Sequence, residues 1–219
     1  MAVKIIALLL IGYICGLFPT GMIIAKCKGV DIRHEGSGNS GATNSLRVMG
    51  KKAGLLVLLG DSMKAFLPCM AVRFLFGANG PLAEPDMMLA YVGLIGIGAV
   101  LGHDFPFFMK FKGGKGISST TGFSLALDWR ITLIGFVFFV LIVSVTKYVS
   151  LASMFDTTMF CIVLITFSLI GMYGLCPLGL AVLHSVGLLQ AVLSVWSHRS
   201  NVKRLLAGEE NRFSLKSKI

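Results

Sequence analysis

Residues Ile131–Lys147 read ITLIGFVFFVLIVSVTK, with no charged residue before Lys147. A stretch that is apolar on every face has no stable position at a water boundary. In hydrocarbon, a helix satisfies its own backbone groups and an open strand does not. A span needs about 20 mostly apolar residues. Working outward, runs of the same kind occupy 3–25, 53–77, 87–102, 117–127, 155–171 and 178–197. The weakest is 117–127, which begins with Ser118, Ser119, Thr120 and Thr121. It is either a full span extended by its flanks or a short, re-entrant piece.

Composition supports this reading. Of 219 residues, 55% are hydrophobic and 14% charged, against about 25% charged in a soluble domain. Mean hydropathy is +0.83. An ordinary cytosolic enzyme, a disordered tail and a collagen-like fibre are excluded. The expected fold is all-α, a polytopic transmembrane helical bundle of about seven spans forming one domain over 1–219, without internal repeat or linker. The first run is read as a span and not as a cleaved signal: Lys4 precedes it, no small-x-small site follows, and it continues past Pro19.

Charge sets the orientation. With seven spans, one side holds 26–52, 103–116, 148–154 and the tail from 198. That side, with Lys147 at its edge, carries 16 of the 20 basic residues, including Lys216 and Lys218. The other side holds only Lys4, Arg73 and Arg130; Lys64 lies within a span. The positive-inside rule then places the N-terminus outside and the C-terminus in the cytoplasm. Because the basic residues sit in short gaps between spans, the net charge of +10 does not point to nucleic acid. The five cysteines form no C-x-x-C pair and read as small buried hydrophobes.

Three segments on the basic side carry unusual chemistry. Gly36-Ser37-Gly38-Asn39-Ser40-Gly41-Ala42-Thr43-Asn44, followed by Arg47, alternates glycine with small hydroxyl and amide residues. Such a stretch can turn backbone N–H groups toward an anion, and Arg47 adds a planar fork for phosphate. A flexible Gly/Ser connector has the same composition. Gly102-His103-Asp104-Phe105-Pro106 leads to Lys110-Phe111-Lys112-Gly113-Gly114-Lys115-Gly116. There Gly113, Gly114 and Gly116 flank an ammonium, a composition suited to phosphate, although Walker A spacing is absent. A basic loop at anionic headgroups is the plainer reading. The third runs from His198 through Asn201 and Arg204 to Gly208, Glu209 and Glu210. On a helix, His198 and Asn201 share a face; a snorkelling basic tail would also fit. Asp61 and Lys64 lie at i, i+3 within the second run, either paired with each other or functional. Ser150 and Ser153 sit within 148–154, at the basic-side end of the fifth span, and read as caps. No Cys/His/Asp/Glu cluster has metal-ligand spacing. Taken together, the three segments describe a phosphate site at the inner edge of the bilayer.

These motifs resemble those of the PlsY family, the acyl-phosphate-dependent glycerol-3-phosphate acyltransferases of bacteria. The resemblance lies in 36–44 with Arg47, in Gly102-His103 through Phe105-Pro106 to Gly116, and in His198, Asn201, Arg204-Leu205 and Gly208-Glu209. This chain departs from the family pattern at Ser40, where Pro is usual, and at Ala152, where a second Ser is usual. The resemblance implies acyl transfer from acyl phosphate to the 1-hydroxyl of sn-glycerol 3-phosphate, the first acylation of phospholipid synthesis. It implies no cofactor and no metal, and membrane lipids as surroundings. The site would face the cytoplasm at a bacterial inner membrane. Ser37, Arg47, Lys115, His198 and Asn201 are the expected catalytic residues. Asn39, Thr43, Asn44, His103, Lys112, Gly113, Gly114, Gly116, Ser153, Arg204 and Glu209 are expected to bind substrate or fix the site. In that scheme Lys115 and its glycines hold glycerol phosphate, while Ser37, Thr43 and Arg47 hold acyl phosphate; the two phosphates are interchangeable on sequence alone. An anion transporter would use similar elements, but transporters usually show repeats and a site at mid-membrane. A lipid-binding scaffold would not need three glycine-bearing loops.

Overall fold

The computed structural model describes residues 1–213; Lys216 and Lys218 lie outside them. Ten α-helices follow one another: α1 (Ala2–Gly16), α2 (Thr20–Cys27), α3 (Ala42–Met49), α4 (Lys51–Phe76), α5 (Met88–Asp104), α6 (Ile117–Leu127), α7 (Trp129–Thr146), α8 (Val149–Leu169), α9 (Pro177–Ser197) and α10 (Arg199–Leu206). No strand occurs among the described residues.

Six of these stretches are long and apolar enough to cross a membrane, α1 and α2 counting together. The run at 117–127 forms the eleven-residue α6, which rises only about 16 Å, short of the ~30 Å hydrocarbon core. Ser62 in the middle of α4 donates to Ser118 O at 2.9 Å. Farther along α4, the Arg73 guanidinium donates to Ala126 O and Leu127 O at 2.8 Å each, capping the far end of α6.

α5 is the centre of the bundle. Every residue in it is buried except Met88 and Leu101. Small residues allow this. Gly12 and Gly16 of α1 face the carbonyls of Ile95 and Ala99, while Gly98 and Gly102 of α5 face those of Leu9 and Tyr13. A Cβ at any of the four would collide with backbone. Two small-xxx-small pairs thus bring α1 and α5 into backbone contact, the usual source of helix association where lipid removes the hydrophobic drive. By contrast α7 turns its apolar side chains outward: Phe136 is 62% and Val145 81% exposed.

Pro19 breaks the first run. It has no N–H and cannot continue the helix ladder. The break at Phe18–Pro19 separates α1 from α2 and turns the Phe18 carbonyl toward Lys64 Nζ, 2.8 Å away.

Candidate functional site

Ser37, Arg47, Lys115, Ser153, His198 and Asn201 come from four separate stretches of the chain and line one cavity of about 170 Å³. Asn39, Thr43, Asn44, His103, Gly116 and Arg204 line it too. The polar segments therefore meet at one end of the bundle.

The 36–47 stretch is held by its own amides. Buried Asn44 accepts from Ser37 N at 2.8 Å and donates to Asn39 O at 2.9 Å and Glu35 O at 3.0 Å. Asn39 accepts from Gly41 N at 2.8 Å, and Gly38 N donates to Glu35 O at 3.0 Å. The amides of Ser37, Gly38 and Gly41 are therefore consumed within the loop, and paired amides do not also meet an anion. Side-chain donors remain on Ser37, Thr43 and Arg47, which have no hydrogen-bond partner among the described residues, beside the first-turn amides of α3. The first turn of a helix lacks internal acceptors and carries positive potential. Ala42, Thr43 and Asn44 at the start of α3, and Ile117 and Ser118 at the start of α6, all line the cavity. Two helix N-termini face it.

In the second segment the glycine amides are likewise engaged. Gly113 N donates to Asp104 O at 2.9 Å and Gly114 N to His103 O at 3.1 Å. The returning chain thus satisfies carbonyls at the end of α5, which have no partner within the helix. Gly113 and Gly114 are there for close approach: a side chain on Gly114 would strike the His103 ring. Neither glycine lines the cavity, and Lys112 is exposed outside it. Gly116 sits in the left-handed region, φ 72°, and turns the chain into α6. Between them, the Lys115 ammonium reaches the cavity and donates to Asn201 Oδ1. Burial, and then the nearby Arg204 charge, push its pKa down to about 8, against the pull of Glu210 and Asp104.

The third segment forms α10, stopped at Gly208 with φ 71°. That left-handed turn leaves Glu209 exposed and buries Glu210. It is Glu210, and not Glu209, that the structure brings to the cavity. Its Oε1 accepts from Asn201 Nδ2 at 2.7 Å and Ser150 Oγ at 3.0 Å, and its Oε2 from Arg204 Nε at 2.8 Å. Burial raises the Glu210 pKa, but these three donors outweigh it and hold the carboxyl below its usual range. Ser150, read as a cap from sequence, is part of this hub. Buried His198 lies beside Lys115, with its Nδ1 2.8 Å from Ser194 O. Burial and the Lys115 charge push its pKa down to about 4.

An apolar groove of about 710 Å³ runs between α3, α4 and α7, lined by Leu46, Leu55, Val140 and Val143 among others. Ala42, Thr43, Leu58, Phe139 and Val149 line both it and the polar cavity. A polar, cationic chamber therefore shares a wall with an apolar one.

Residues 6–208 match the family described as glycerol-3-phosphate acyltransferase. The chain belongs to this family, that of PlsY. A Thermotoga maritima glycerol-3-phosphate acyltransferase 2 is 39% identical over 207 residues, covering 94% of this chain and 95% of that protein. A Shouchella clausii glycerol-3-phosphate acyltransferase is 38% identical over 217 residues, 99% of each chain. The crystal structure of PlsY, an integral membrane glycerol 3-phosphate acyltransferase, in its glycerol 3-phosphate form, superposes with a TM-score of 0.80 at 34% identity, covering 96% of both chains. Its lysophosphatidic acid form gives 0.78, also at 34% identity and 96% coverage of both chains. Family membership, the helical membrane fold and the acyltransferase class agree with the sequence-based expectation.

Proposed function

We propose that this chain transfers a fatty acyl group from acyl phosphate to the 1-hydroxyl of glycerol 3-phosphate. The hydroxyl oxygen attacks the acyl carbonyl carbon, the bond from that carbon to the bridging oxygen breaks, and phosphate leaves with the electron pair. The hydroxyl proton goes to a phosphate oxygen of the donor. The products are 1-acylglycerol 3-phosphate and inorganic phosphate.

The observation that carries this reading is that two chambers lie side by side, sharing a wall. A chamber with Arg47, Lys115, Arg204 and two helix N-termini suits two phosphates. The groove behind Thr43 and Phe139 suits an acyl chain. Relatives named for glycerol 3-phosphate, and a related structure with lysophosphatidic acid, support the acceptor and product.

The protein's contribution is position and charge. Holding hydroxyl and carbonyl together supplies about 7 kcal/mol or more, and fixed cations stabilise the oxyanion and the departing phosphate. Ser37, Thr43 and Arg47 hold the donor; Lys115 holds the glycerol phosphate; Asn201 and His198 orient the acceptor. A histidine whose pKa lies at about 4 is poorly matched to general-base work at neutral pH. That favours the donor phosphate as proton acceptor. The site opens to the cytoplasm at a bacterial inner membrane, with seven passages of the chain, consistent with its basic end.

Purified protein is given glycerol 3-phosphate and, in parallel, acyl phosphate, an acyl-carrier thioester or a coenzyme A thioester. Product from acyl phosphate alone is expected; equal use of a thioester overturns the donor assignment.

A further inference from the structure

Inside the bundle, next to the cavity, lies a buried cluster that the scheme above does not use. Lys64 Nζ, from the middle of α4, is 2.8 Å from Phe18 O, 2.6 Å from His103 Nδ1 and 3.0 Å from Asp61 Oδ1. The Lys64 and Asp61 side chains are 5% and 3% exposed, and that of His103 is 8% exposed. Asp61 and His103 line the polar cavity, and with Lys64 they also line a smaller one of about 20 Å³ beside Pro19.

Chemistry decides the proton positions. An ammonium has three N–H donors and no acceptor; here it has hydrogen-bond contacts to the Phe18 carbonyl and His103 Nδ1 and an ion-pair contact to Asp61. The Phe18 carbonyl only accepts, and so does the Asp61 carboxylate. An uncharged amine would strand Asp61 as a lone carboxylate within the bundle, a far more costly arrangement than a neutralised pair. The ammonium therefore donates to His103 Nδ1, which must carry no proton, and the imidazole proton resides on Nε2. That nitrogen has no hydrogen-bond partner among the described residues. It sits against Gly114, whose missing side chain leaves the room.

We infer that Asp61 and Lys64 are positioning residues that hold His103 as its Nε2–H tautomer, so that this N–H donates to a phosphate oxygen of the substrate bound at Lys115. This rests on the proposed function for its substrate and extends it to residues outside that scheme. The break at Pro19 serves this network, since it leaves the Phe18 carbonyl outside a helix ladder and facing Lys64. Asp104, adjacent in sequence, is engaged elsewhere: its Oδ2 accepts from Ser197 Oγ at 2.8 Å.

The test is ¹⁵N NMR of histidine-labelled protein, with His103 assigned by loss of its signals in His103→Gln. The expected spectrum at neutral pH has a pyridine-type Nδ1 and a pyrrole-type Nε2, and added inorganic phosphate shifts the Nε2 signal. A protonated Nδ1, or an Nε2 signal that phosphate leaves unmoved, overturns the inference; neither readout requires turnover or a variant fold. Asp61→Asn/Lys64→Met then removes the pair while keeping volume and neutrality. In the folded double variant, His103 is expected to become a tautomer mixture, and KM for glycerol 3-phosphate to rise roughly tenfold, one hydrogen bond's worth, with kcat changing far less. An unchanged spectrum and KM overturn it. If that variant does not fold, the wild-type spectrum decides. Failure of acyl phosphate as donor would remove the proposed reaction and leave the tautomer result standing on its own.

Discussion

Asn201 donates its amide to Glu210 Oε1 at 2.7 Å and so turns its carbonyl oxygen to the Lys115 ammonium. The carboxylate fixes which way the amide points, and the amide fixes where the cation sits. Glu210→Ala frees the amide to flip and leaves Arg204 and Ser150 unpaired. Hydrogen bonds to charged groups contribute about 1.5–3 kcal/mol each, so kcat/KM is expected to fall about 10- to 100-fold. Glu209→Ala, one residue away and exposed, is expected to match wild type. Steady-state kinetics on both variants check the contrast; a larger loss from Glu209 would reverse the assignment.

Lys115 gives the site a pH limit. Its pKa is lowered to about 8, so the ammonium predominates below pH 8, is half lost there and disappears as pH rises further. The acidic side of kcat/KM reports other groups, but its alkaline limb, which follows the free enzyme, is expected to fall with a midpoint near 8. Lys115→Arg keeps its charge at every accessible pH; it is expected to be slower and to show no such limb. An alkaline limb that survives in Lys115→Arg belongs to another group.

His198 and Arg47 separate two ways of removing the proton. With the donor phosphate as base, His198→Gln retains measurable turnover, because the amide still fills the site and still donates. Arg47→Ala removes a guanidinium with no partner among the described residues and is expected to lose nearly all activity. Equal, complete loss in both would argue for a histidine base.

How much of this was legible beforehand differs by element. The long spans are plain because lipid demands an unbroken apolar run, as in α7. The short α6 is ambiguous because it is packed within the bundle: Gly122 faces Ser62 O, and Phe123 packs into the space at Gly96. Shielded from lipid, it need be neither long nor uniformly apolar. The site residues are legible as types. What their backbone does is not, since the amides of Ser37, Gly38 and Gly41 and of Gly113 and Gly114 find partners that only the folded chain sets. Gly113 and Gly114 read as an anion cradle but serve to let the chain close on His103. Glu209 and Glu210 are chemically equal in sequence, and only the left-handed turn at Gly208 decides which faces inward.

Packing of α1 on α5 offers a prediction about the fold itself. Gly98→Val is expected to force the two backbones apart, with overpacking costing about 1–3 kcal/mol and lowering the thermal midpoint in detergent. Ile14→Val, on the lipid-facing side where Ile14 is 64% exposed, should leave the midpoint unchanged. Similar midpoints for the two variants would show that close contact at Gly98 does not matter.

The central claim is that donor and acceptor phosphates lie together in one chamber, so the acyl group passes directly between them. The direct test is isotope exchange: enzyme, acyl phosphate and ³²P-labelled inorganic phosphate, with glycerol 3-phosphate omitted. Direct transfer predicts no label entering acyl phosphate, although the same preparation forms 1-acylglycerol 3-phosphate once the acceptor is added. Label appearing in acyl phosphate without acceptor would mean that the acyl group rests on the protein, and would contradict the account.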